Sequence, residues 1–250
     1  LTDRICRKPS VLNPTAWGAP LSHRQNDNPE AVLDFGRIER TGLSEAVFCA
    51  RKTPQQISAI LEGFRERELS CLLTRLDEEK LHRFPSELQQ EIDYDNLSRT
   101  AIYGTPDPQP RSIQVAIVSG GTSDAGVCAE AARTLGYYGV DSTLIQDVGV
   151  TGLWRLMERI DEIRQYPIVI AVAGMEGAIF SVLGGLIDAV LIAVPTSISY
   201  GVGPDGQLAL HAALGSCAPG IVTSNIDNGY GAACAALRVI NQWERIGVNT

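Results

Sequence analysis

Histidine is scarce in this sequence, and the spacings of several common catalytic sites are missing. The only histidines are His23, His82 and His211, which leaves too few ligands for a histidine-based metal cluster and few candidates for a Ser-His-Asp triad. None of the six cysteines belongs to a C-x-x-C pair, so the usual spacing of zinc and thioredoxin-type sites is absent. The cysteines are scattered and no secretory h-region begins the sequence, so we expect free thiols and a cytoplasmic location.

Excess positive charge is lacking as well. The chain has 21 Lys and Arg against 29 Asp and Glu, a net charge of −8, which offers no general attraction to nucleic acid or to an anionic membrane. We therefore expect a small-molecule partner and neither nucleic acid nor membrane. Any phosphate site must be local, built from backbone amides or a few placed cations.

Uninterrupted apolar runs of membrane-spanning length are also missing. The most apolar region, 168–198, is broken by Glu176 and Asp188, and each run between them is shorter than the ~20 residues that cross a bilayer. Glycines and the Pro195-Thr196-Ser197 turn indicate a buried strand, a helix and a second buried strand.

The first 104 residues divide into two predicted regions. Residues 1–30 are rich in Asn, Pro and Arg without a steady period, and are predicted to be an irregular segment. Residues 31–104 are predicted to form a small α/β domain with a βαβα unit, because short apolar runs alternate with helical patterns. Its predicted strands are 46–49 and 70–74, and its predicted helices are 53–65 and 77–84. The Pro-rich stretch 105–111 is interpreted as a linker.

From residue 112 to residue 250, strands and helices are predicted to alternate regularly. The strands are continuous apolar runs, typical of parallel strands buried on both faces. The sequence therefore predicts an α/β fold with a doubly wound parallel sheet. Strands are expected at 113–118, 142–146, 167–173, 189–194 and 220–225, and helices at 124–137, 151–163, 177–186, 207–215 and 230–243.

Glycine- and polar-rich loops follow all five predicted strands. Carboxyl ends of parallel strands share one edge of a sheet, so these loops are expected to form one site. The 119–124 loop is neither a Walker A loop nor a G-x-G-x-x-G fingerprint, but it suits an anion because glycines and a helix start expose backbone amides. Glu176 would resist ionisation if desolvated, which suits a general acid or base. Cys217 stands in a turn-forming run, where a thiolate could act as a nucleophile.

Each of these features also has a purely structural interpretation. The 119–124 loop could be a tight turn with a helix cap, and Glu176 could favour a helix start through the dipole. Asp227 or Asn228 could cap the last helix. Cys217 could be a small buried residue.

Taken in order, the segments SGGTSDAGVCAEAA, DVGVTGL, VAGMEGA, VPTSISYG, GSCAPGI and NIDNGYGAA resemble the LarB-type carboxylase/hydrolase family. DFGRIERTG, ARKTPQQI and LLTRLDEEK are similar to that family's N-terminal domain, and the C-terminal part is similar to the aminoimidazole ribonucleotide carboxylase/mutase fold. The resemblance implies carboxylation of the pyridinium ring of nicotinic acid adenine dinucleotide and cleavage of its phosphoanhydride. The products would be pyridinium-3,5-biscarboxylic acid mononucleotide and AMP, on the route to the nickel-pincer cofactor of lactate racemase.

The resemblance also implies roles for individual residues. Cys217 matches the nucleophile and Glu176 the acid/base, with CO2 or bicarbonate as co-substrate, Mg²⁺ at the phosphoanhydride with ligands that cannot be assigned, and a homo-oligomer such as an octamer. The expected substrate contacts are Ser119, Gly120, Gly121, Thr122, Asp124, Asp147, Gly149, Gly174, Met175, Gly177, Pro195, Thr196, Ser197, Gly201, Asn225, Asp227, Asn228 and Gly229. Lys52, Arg75 and Arg40 are candidates for pairing with phosphates, although each could equally be a solvated surface charge.

The sequence departs from the family pattern at several positions. Trp154 replaces a common histidine, Leu43-Ser44-Glu45 replaces Phe-Pro-Glu, and Cys49-Ala50-Arg51 replaces a Gly-rich turn. Another pyridinium nucleotide therefore stays open as the substrate. A carboxylase or mutase of aminoimidazole ribonucleotide is disfavoured because the loop at Gln146-Asp147 has no histidine, and a non-catalytic nucleotide-binding module is the third alternative.

Overall fold

Two sheets organise residues 31–247, the part of the chain that the computed structural model describes. The predicted irregular segment 1–30 lies outside the described residues. The smaller sheet has the strand order β1-β2-β4-β3, with β1 parallel to β2, and β4 antiparallel to both β2 and β3. Its strands are β1 Val47–Phe48, β2 Cys71–Thr74, β3 Ile92–Asp95 and β4 Thr100–Tyr103. The helices of this part are α1 Arg37–Thr41, α2 Pro54–Arg65, α3 Glu78–Leu81 and α4 Ser86–Gln90.

Helix α2 begins where the sequence predicts it. The Thr53 side chain accepts a hydrogen bond from the Gln56 amide at 3.2 Å, and the Gln56 side chain accepts one from the Thr53 amide at 2.9 Å. This reciprocal capping satisfies two amides that a helix start leaves unpaired, and Pro54 at the first helical position loses no bond. The β3–β4 hairpin was not predicted, because two of the four residues of β3 are aspartates, which are depleted in strands.

The larger sheet has five parallel strands in the order β6-β5-β7-β8-β9. They are β5 Val115–Ser119, β6 Ser142–Ile145, β7 Ile168–Ala173, β8 Val190–Pro195 and β9 Val222–Thr223. The helices that alternate with them are α5 Ala125–Tyr137, α6 Leu153–Ile163, α7 Ala178–Leu186, α8 Gln207–Leu214 and α9 Gly229–Ile246. The predicted doubly wound parallel sheet is thereby confirmed.

Successive residues of the central strands pack alternately into two separate hydrophobic cores. On β7, Ile168, Ile170 and Val172 pack with α5 and α9, whereas Val169 and Ala171 pack with α6, α7 and α8. Both faces of the sheet are covered in this way, which explains why its strands read as continuous apolar runs. Leu43 and Leu72 of the N-terminal part join the core on the α5 and α9 side.

Strand order places a crevice between β5 and β7. The chain leaves β5 for β6 on one side, then passes back to β7 on the other, so the connections after β5 and β7 diverge. Ligands of doubly wound sheets bind in such a crevice at the carboxyl ends of the strands. The apolar region 168–198 forms β7, α7 and β8 as expected, and none of the helices between residues 31 and 247 has the length and apolarity needed to cross a membrane.

Candidate functional site

A cavity of about 260 Å³ opens at this crevice. The loops after β5, β6 and β7 surround it, and the loop after β8 adds Ile198. Its walls are formed by Gly120, Gly121, Ser123, Asp124, Gly149, Val150, Thr151, Ala173, Gly174, Met175, Glu176, Gly177, Ala178, Ile179 and Ile198. Since the starts of α5, α6 and α7 border it, their partial positive charge favours an anionic ligand.

Gly174 is required where the β7 loop crosses the β8 loop. A Cβ at this position would lie 2.2 Å from the Ile198 carbonyl oxygen and 2.7 Å from the Thr196 Oγ1. The Met175 amide donates to that same Ile198 carbonyl at 2.7 Å. The two loops are therefore in direct backbone contact, which only a residue without a side chain permits.

Asp124 is a buried carboxylate in the cavity wall. Its Oδ1 accepts a hydrogen bond from Thr196 Oγ1 at 2.7 Å, and its Oδ2 accepts one from the Gly121 amide at 3.0 Å. Burial raises the pKa of Asp124 above its usual range, and the nearby charge of Asp227 adds to this, although the two hydrogen bonds act in the opposite direction. Asp124 thus joins the β5 loop to the β8 loop.

The loop after β9 supports the cavity from outside its walls. Asp227 Oδ1 accepts from the Ser197 amide at 2.7 Å, and the Asp227 amide donates to the Pro195 carbonyl at 2.8 Å. Asn228 caps α9 by accepting from the Gly231 amide at 2.8 Å, as the helix-cap interpretation predicts. A Cβ on Gly229 would lie 2.3 Å from the Val127 carbonyl, so this glycine allows α9 to pack closely on α5.

Glu176 lies at the rim of the cavity and is exposed. It stands between Met175 and Gly177, both with positive φ, 53° and 64°. The desolvated setting expected for Glu176 is not present in a single chain, because the turn points away from the core. An exposed carboxylate at the rim can reach both a bound ligand and solvent, which is the placement that proton transfer needs.

Cys217 is exposed and is not part of the cavity wall. The loop that carries it packs beside the second half of α7, where Ser216 Oγ lies 2.7 Å from Ser181 Oγ, and where a Cβ on Gly184 would lie 2.8 Å from the Ala218 Cβ. Gly184 is seven residues beyond Gly177, roughly 10 Å along the helix axis. The loop precedes β9, so Cys217 belongs to the other end of the strands from Glu176.

Cys217 is nevertheless the exposed thiol among the five cysteines in the described residues. Burial raises the pKa of Cys49 to about 12, and burial likewise raises that of Cys128 to about 12. Neither can supply a thiolate near neutral pH. Because Cys217 is exposed, its interpretation as a small buried residue is wrong.

The loop after β6 contributes an acid that is already paired. Asp147 Oδ2 lies 3.0 Å from Arg155 on α6, and the Arg155 guanidinium also donates to the Gly149 carbonyl at 3.4 Å. Sequence reasoning did not select Arg155, although a lone arginine at the start of a helix after an acidic loop was an available signal. Trp154, where the resemblance implies a histidine, is 64% exposed.

The three candidate cations lie in different places. Arg75 follows β2 and reaches the loop after β9, where it donates to the Asp227 carbonyl. Lys52 follows β1 at the same end of the smaller sheet. Arg40 is not brought to the site. It forms an ion pair with Asp34, and the nearby Gly42 carbonyl accepts a hydrogen bond from Asn241, which is near the C-terminal end of α9.

Eight of the predicted binding and catalytic positions line the cavity. They are Gly120, Gly121, Asp124, Gly149, Gly174, Met175, Glu176 and Gly177. The remaining predicted residues of the five loops do not line it. Hydrogen bonds to neighbouring loops are formed by Ser119, Asp147, Thr196, Ser197 and Asp227. Asn228 caps α9 instead, and Thr122, Pro195, Gly201, Asn225 and Gly229 are also outside the wall.

Residues around the cavity do not form a cage for Mg²⁺. Within residues 31–247, no three His, Cys, Asp or Glu side chains come together as a metal site, and Asp124, Asp147 and Asp227 are each engaged by protein donors. Mg²⁺ commonly binds through substrate phosphates with few protein ligands. The described residues around the cavity therefore fit a Mg²⁺ ion that arrives with substrate phosphates better than one held by the protein alone.

Comparison with known proteins agrees with this architecture. Residues 26–105 match the LarB/PurE-like N-terminal domain, and residues 114–246 match AIR carboxylase. An uncharacterized protein of Methanocaldococcus jannaschii is 33% identical over 225 residues, which cover 86% of either chain. The chain belongs to the AIR carboxylase family, in the LarB-type architecture that adds a LarB/PurE-like N-terminal domain.

Proposed function

We propose that this carboxylase-type enzyme adds CO2 to carbon 5 of the pyridinium ring of nicotinic acid adenine dinucleotide and hydrolyses the phosphoanhydride. The products are pyridinium-3,5-biscarboxylic acid mononucleotide and AMP. The observation that carries the proposal is the cavity at the β5–β7 crevice, which has glycine loops on its walls and Glu176 at its rim, in a chain of LarB-type architecture.

The size and charge of the cavity suit part of this substrate. About 260 Å³ is just below the range of small-molecule sites, which span roughly 300–1,000 Å³. We expect the cavity to hold the pyridinium ring with its ribose phosphate, and the AMP half to extend beyond it. The helix starts at the cavity favour the ring carboxylate or the phosphate.

A pyridinium ring is electron-poor and cannot itself attack CO2. In the proposed reaction the Cys217 thiolate forms a bond to carbon 4, and the electron pair moves to the ring nitrogen, giving a neutral dihydropyridine. Carbon 5 is then the nucleophilic carbon of an enamine and forms the bond to CO2. Glu176 takes the proton from carbon 5, the carbon–sulfur bond breaks, and the aromatic ring is restored.

Hydrolysis of the phosphoanhydride consumes one water and releases AMP. Arg75 and Lys52 follow parallel strands at the same end of the smaller sheet, and Arg75 reaches the β9 loop. Lys52 is the candidate for a direct phosphate contact, because the guanidinium of Arg75 is already bound by the protein.

The separation of Cys217 from the cavity favours a site that is shared between two copies of the chain. Both Cys217 and Glu176 are exposed, and the loop that holds Cys217 lies at the other end of the strands from Glu176. We therefore propose a homo-oligomer in which a second copy supplies Cys217 to the cavity. Large apolar side chains that such an assembly could cover are exposed at Trp154, Tyr200 and Leu214, by 64%, 79% and 67%.

A carboxylase or mutase of aminoimidazole ribonucleotide is the second candidate, favoured by the match of residues 114–246 to AIR carboxylase. Against it, the loop after β6 offers the Asp147–Arg155 pair and no histidine. This activity would not depend on Cys217, so the cysteine separates the two candidates.

The deciding experiment is product analysis by mass spectrometry. The protein is incubated with nicotinic acid adenine dinucleotide, Mg²⁺ and ¹³C-bicarbonate, and in parallel with aminoimidazole ribonucleotide. We expect AMP and a mononucleotide that carries one labelled carboxylate. Carboxylation of aminoimidazole ribonucleotide alone would establish the second candidate, and saturable dinucleotide binding without AMP release would indicate a non-catalytic module.

A further inference from the structure

Arg75 connects the N-terminal part of the chain to the loops at the cavity. Its Nε lies 3.3 Å from Oε1 of Glu130, a buried carboxylate on α5, and its Nη2 donates to the Asp227 carbonyl. Glu130 also accepts from the Tyr230 amide at 3.2 Å. Arg75 has a left-handed backbone with φ 55°, an unfavourable conformation for a residue that carries a side chain.

The contacts continue from Asp227 to the cavity wall. The Asp227 carboxylate accepts from the Ser197 amide at 2.7 Å and its amide donates to Pro195 at 2.8 Å. Thr196, held between them, donates to Asp124 at 2.7 Å. Asp124 in turn accepts from the Gly121 amide at 3.0 Å. Every link from Arg75 to the glycine loop is a hydrogen bond or a short length of covalent backbone.

We propose that Arg75 is a positioning residue. It holds the loop after β5, residues 119–124, in place through Asp227, Thr196 and Asp124. It acts through the β9 loop and does not itself bind substrate phosphate. The effect on turnover rests on the proposed function, whereas the effect on the loops does not. In this arrangement the N-terminal part is needed for an ordered site as well as for covering the α5 and α9 face.

Arg133 provides a matched control. It also joins the two parts of the chain, since its Nε donates to Thr100 Oγ1 at 2.9 Å and its Nη2 donates to Asp93 Oδ2 at 2.9 Å. It is similarly half-buried, and its hydrogen bonds are to the β3–β4 hairpin rather than to the cavity loops. Loss of Arg133 therefore removes a connection between the two parts without removing the path to Gly121.

Hydrogen–deuterium exchange of the full chain tests the inference without any ligand. In Arg75→Ala we expect exchange to increase about tenfold or more in peptides covering 119–124, 195–199 and 225–231, because local opening is no longer opposed by the Arg75 contact. Arg75→Lys should show a smaller increase than the alanine variant, because the ammonium keeps a charged donor but lacks the fixed planar fork of the guanidinium. Arg133→Ala should affect 92–103 and leave the three cavity peptides at wild-type exchange.

Turnover of nicotinic acid adenine dinucleotide supplies the second readout. We expect Arg75→Ala to raise KM about tenfold with a smaller change in kcat, and Arg75→Lys to recover part of the loss. Wild-type exchange at 119–124 and 195–199 in both Arg75 variants would overturn the inference, as would equal loosening of these peptides in Arg133→Ala. If exchange changes as expected but the wild-type protein releases no AMP, the proposed function fails and the positioning role stands.

Discussion

Thr196 Oγ1 donates a 2.7 Å hydrogen bond to Asp124 Oδ1, and both residues are buried, with Asp124 in the cavity wall. This bond joins the loop after β8 to the loop after β5, on either side of the central strand β7. The carboxylate it holds has lost most of its contact with water, and burial accordingly raises the pKa of Asp124. The site thus contains an acid whose charge is costly to keep.

Asp124→Asn should change how stability depends on pH. The pKa of Asp124 in the folded protein lies above its ordinary 3.8. At pH values between 3.8 and that raised pKa, the folded protein therefore keeps a proton on Asp124 that the unfolded chain has released. The Asp124 contribution to the free energy of unfolding therefore falls as pH rises through this interval. The asparagine cannot ionise, yet its oxygen can accept from Gly121 and its amide can donate to Thr196.

Urea denaturation of both proteins at a series of pH values from about 4 to 7 measures this effect. The free energy of unfolding of Asp124→Asn minus that of wild type should rise with pH across the interval and then level off. A difference that is constant with pH would show that folding does not perturb the Asp124 carboxyl.

Gly174→Ala should be destabilising, because its Cβ would meet the Ile198 carbonyl at 2.2 Å. Forced separation of the two loops should cost about 1–3 kcal/mol and should weaken binding of the dinucleotide. Gly185→Ala is the matched control: in α7 a Cβ there meets nothing within 4 Å, and it should add about 0.5–1 kcal/mol of stability. Thermal and urea unfolding of both variants measures the change in stability relative to wild type, which should be a loss for Gly174→Ala and a gain for Gly185→Ala. Equal stabilities of the two variants would contradict the close approach of Gly174 to the Ile198 carbonyl.

Much of the larger sheet could be predicted from the sequence, since runs such as 168–172 are apolar at every position and match a strand covered on both faces. The β3–β4 hairpin was harder to predict, because Asp93 and Asp95 belong to a residue type that is depleted in strands, even though their alternation with apolar neighbours fits a half-buried edge strand. Cavity residues that immediately follow a strand, such as Gly120 and Gly174, were predictable because the carboxyl ends of parallel strands share one edge of the sheet.

Contacts between distant segments were not predictable in the same way. Arg75 and Asp227 are 152 residues apart, and no local pattern indicates that they meet. Thr196 looked like a ligand contact, whereas its hydroxyl is directed to Asp124. The end of the sheet at which Cys217 lies follows from topology, because a loop before a parallel strand is at the amino end of the sheet, away from the loops that follow the strands.

Glu176→Gln should lower kcat for carboxylation by about 100-fold or more, the usual contribution of a positioned general base, with little change in KM. The exposed Glu158→Gln on α6 is the control and should leave both constants unchanged. Steady-state rates of AMP and carboxylated mononucleotide formation measure the effect. A Glu176→Gln enzyme with wild-type rates would remove this carboxylate from the proton-transfer role.

Cys217→Ala and Cys217→Ser should each lower carboxylation at least about a thousand-fold, since loss of a covalent nucleophile removes the whole reaction path. Cys234→Ala, which changes a half-buried thiol on α9, should retain turnover. Intact-protein mass spectrometry after quenching should detect a substrate adduct on wild type but not on Cys217→Ala. Full carboxylation by the alanine variant would rule out the covalent mechanism.

Mixing the two inactive variants tests whether the site is shared between copies. In a Cys217→Ala chain the Glu176 carboxylate is intact, and in a Glu176→Gln chain the Cys217 thiol is intact. If one copy supplies each group, random co-assembly at equal amounts should restore about a quarter of the sites, because both intact groups must meet across one interface. Activity after unfolding and refolding the mixture measures the recovery, with each variant refolded alone as the control. Native mass spectrometry shows whether the two variants have co-assembled. If a co-assembled mixture recovers no activity, Cys217 and Glu176 act within one chain, and the loop that precedes β9 must move to reach the cavity.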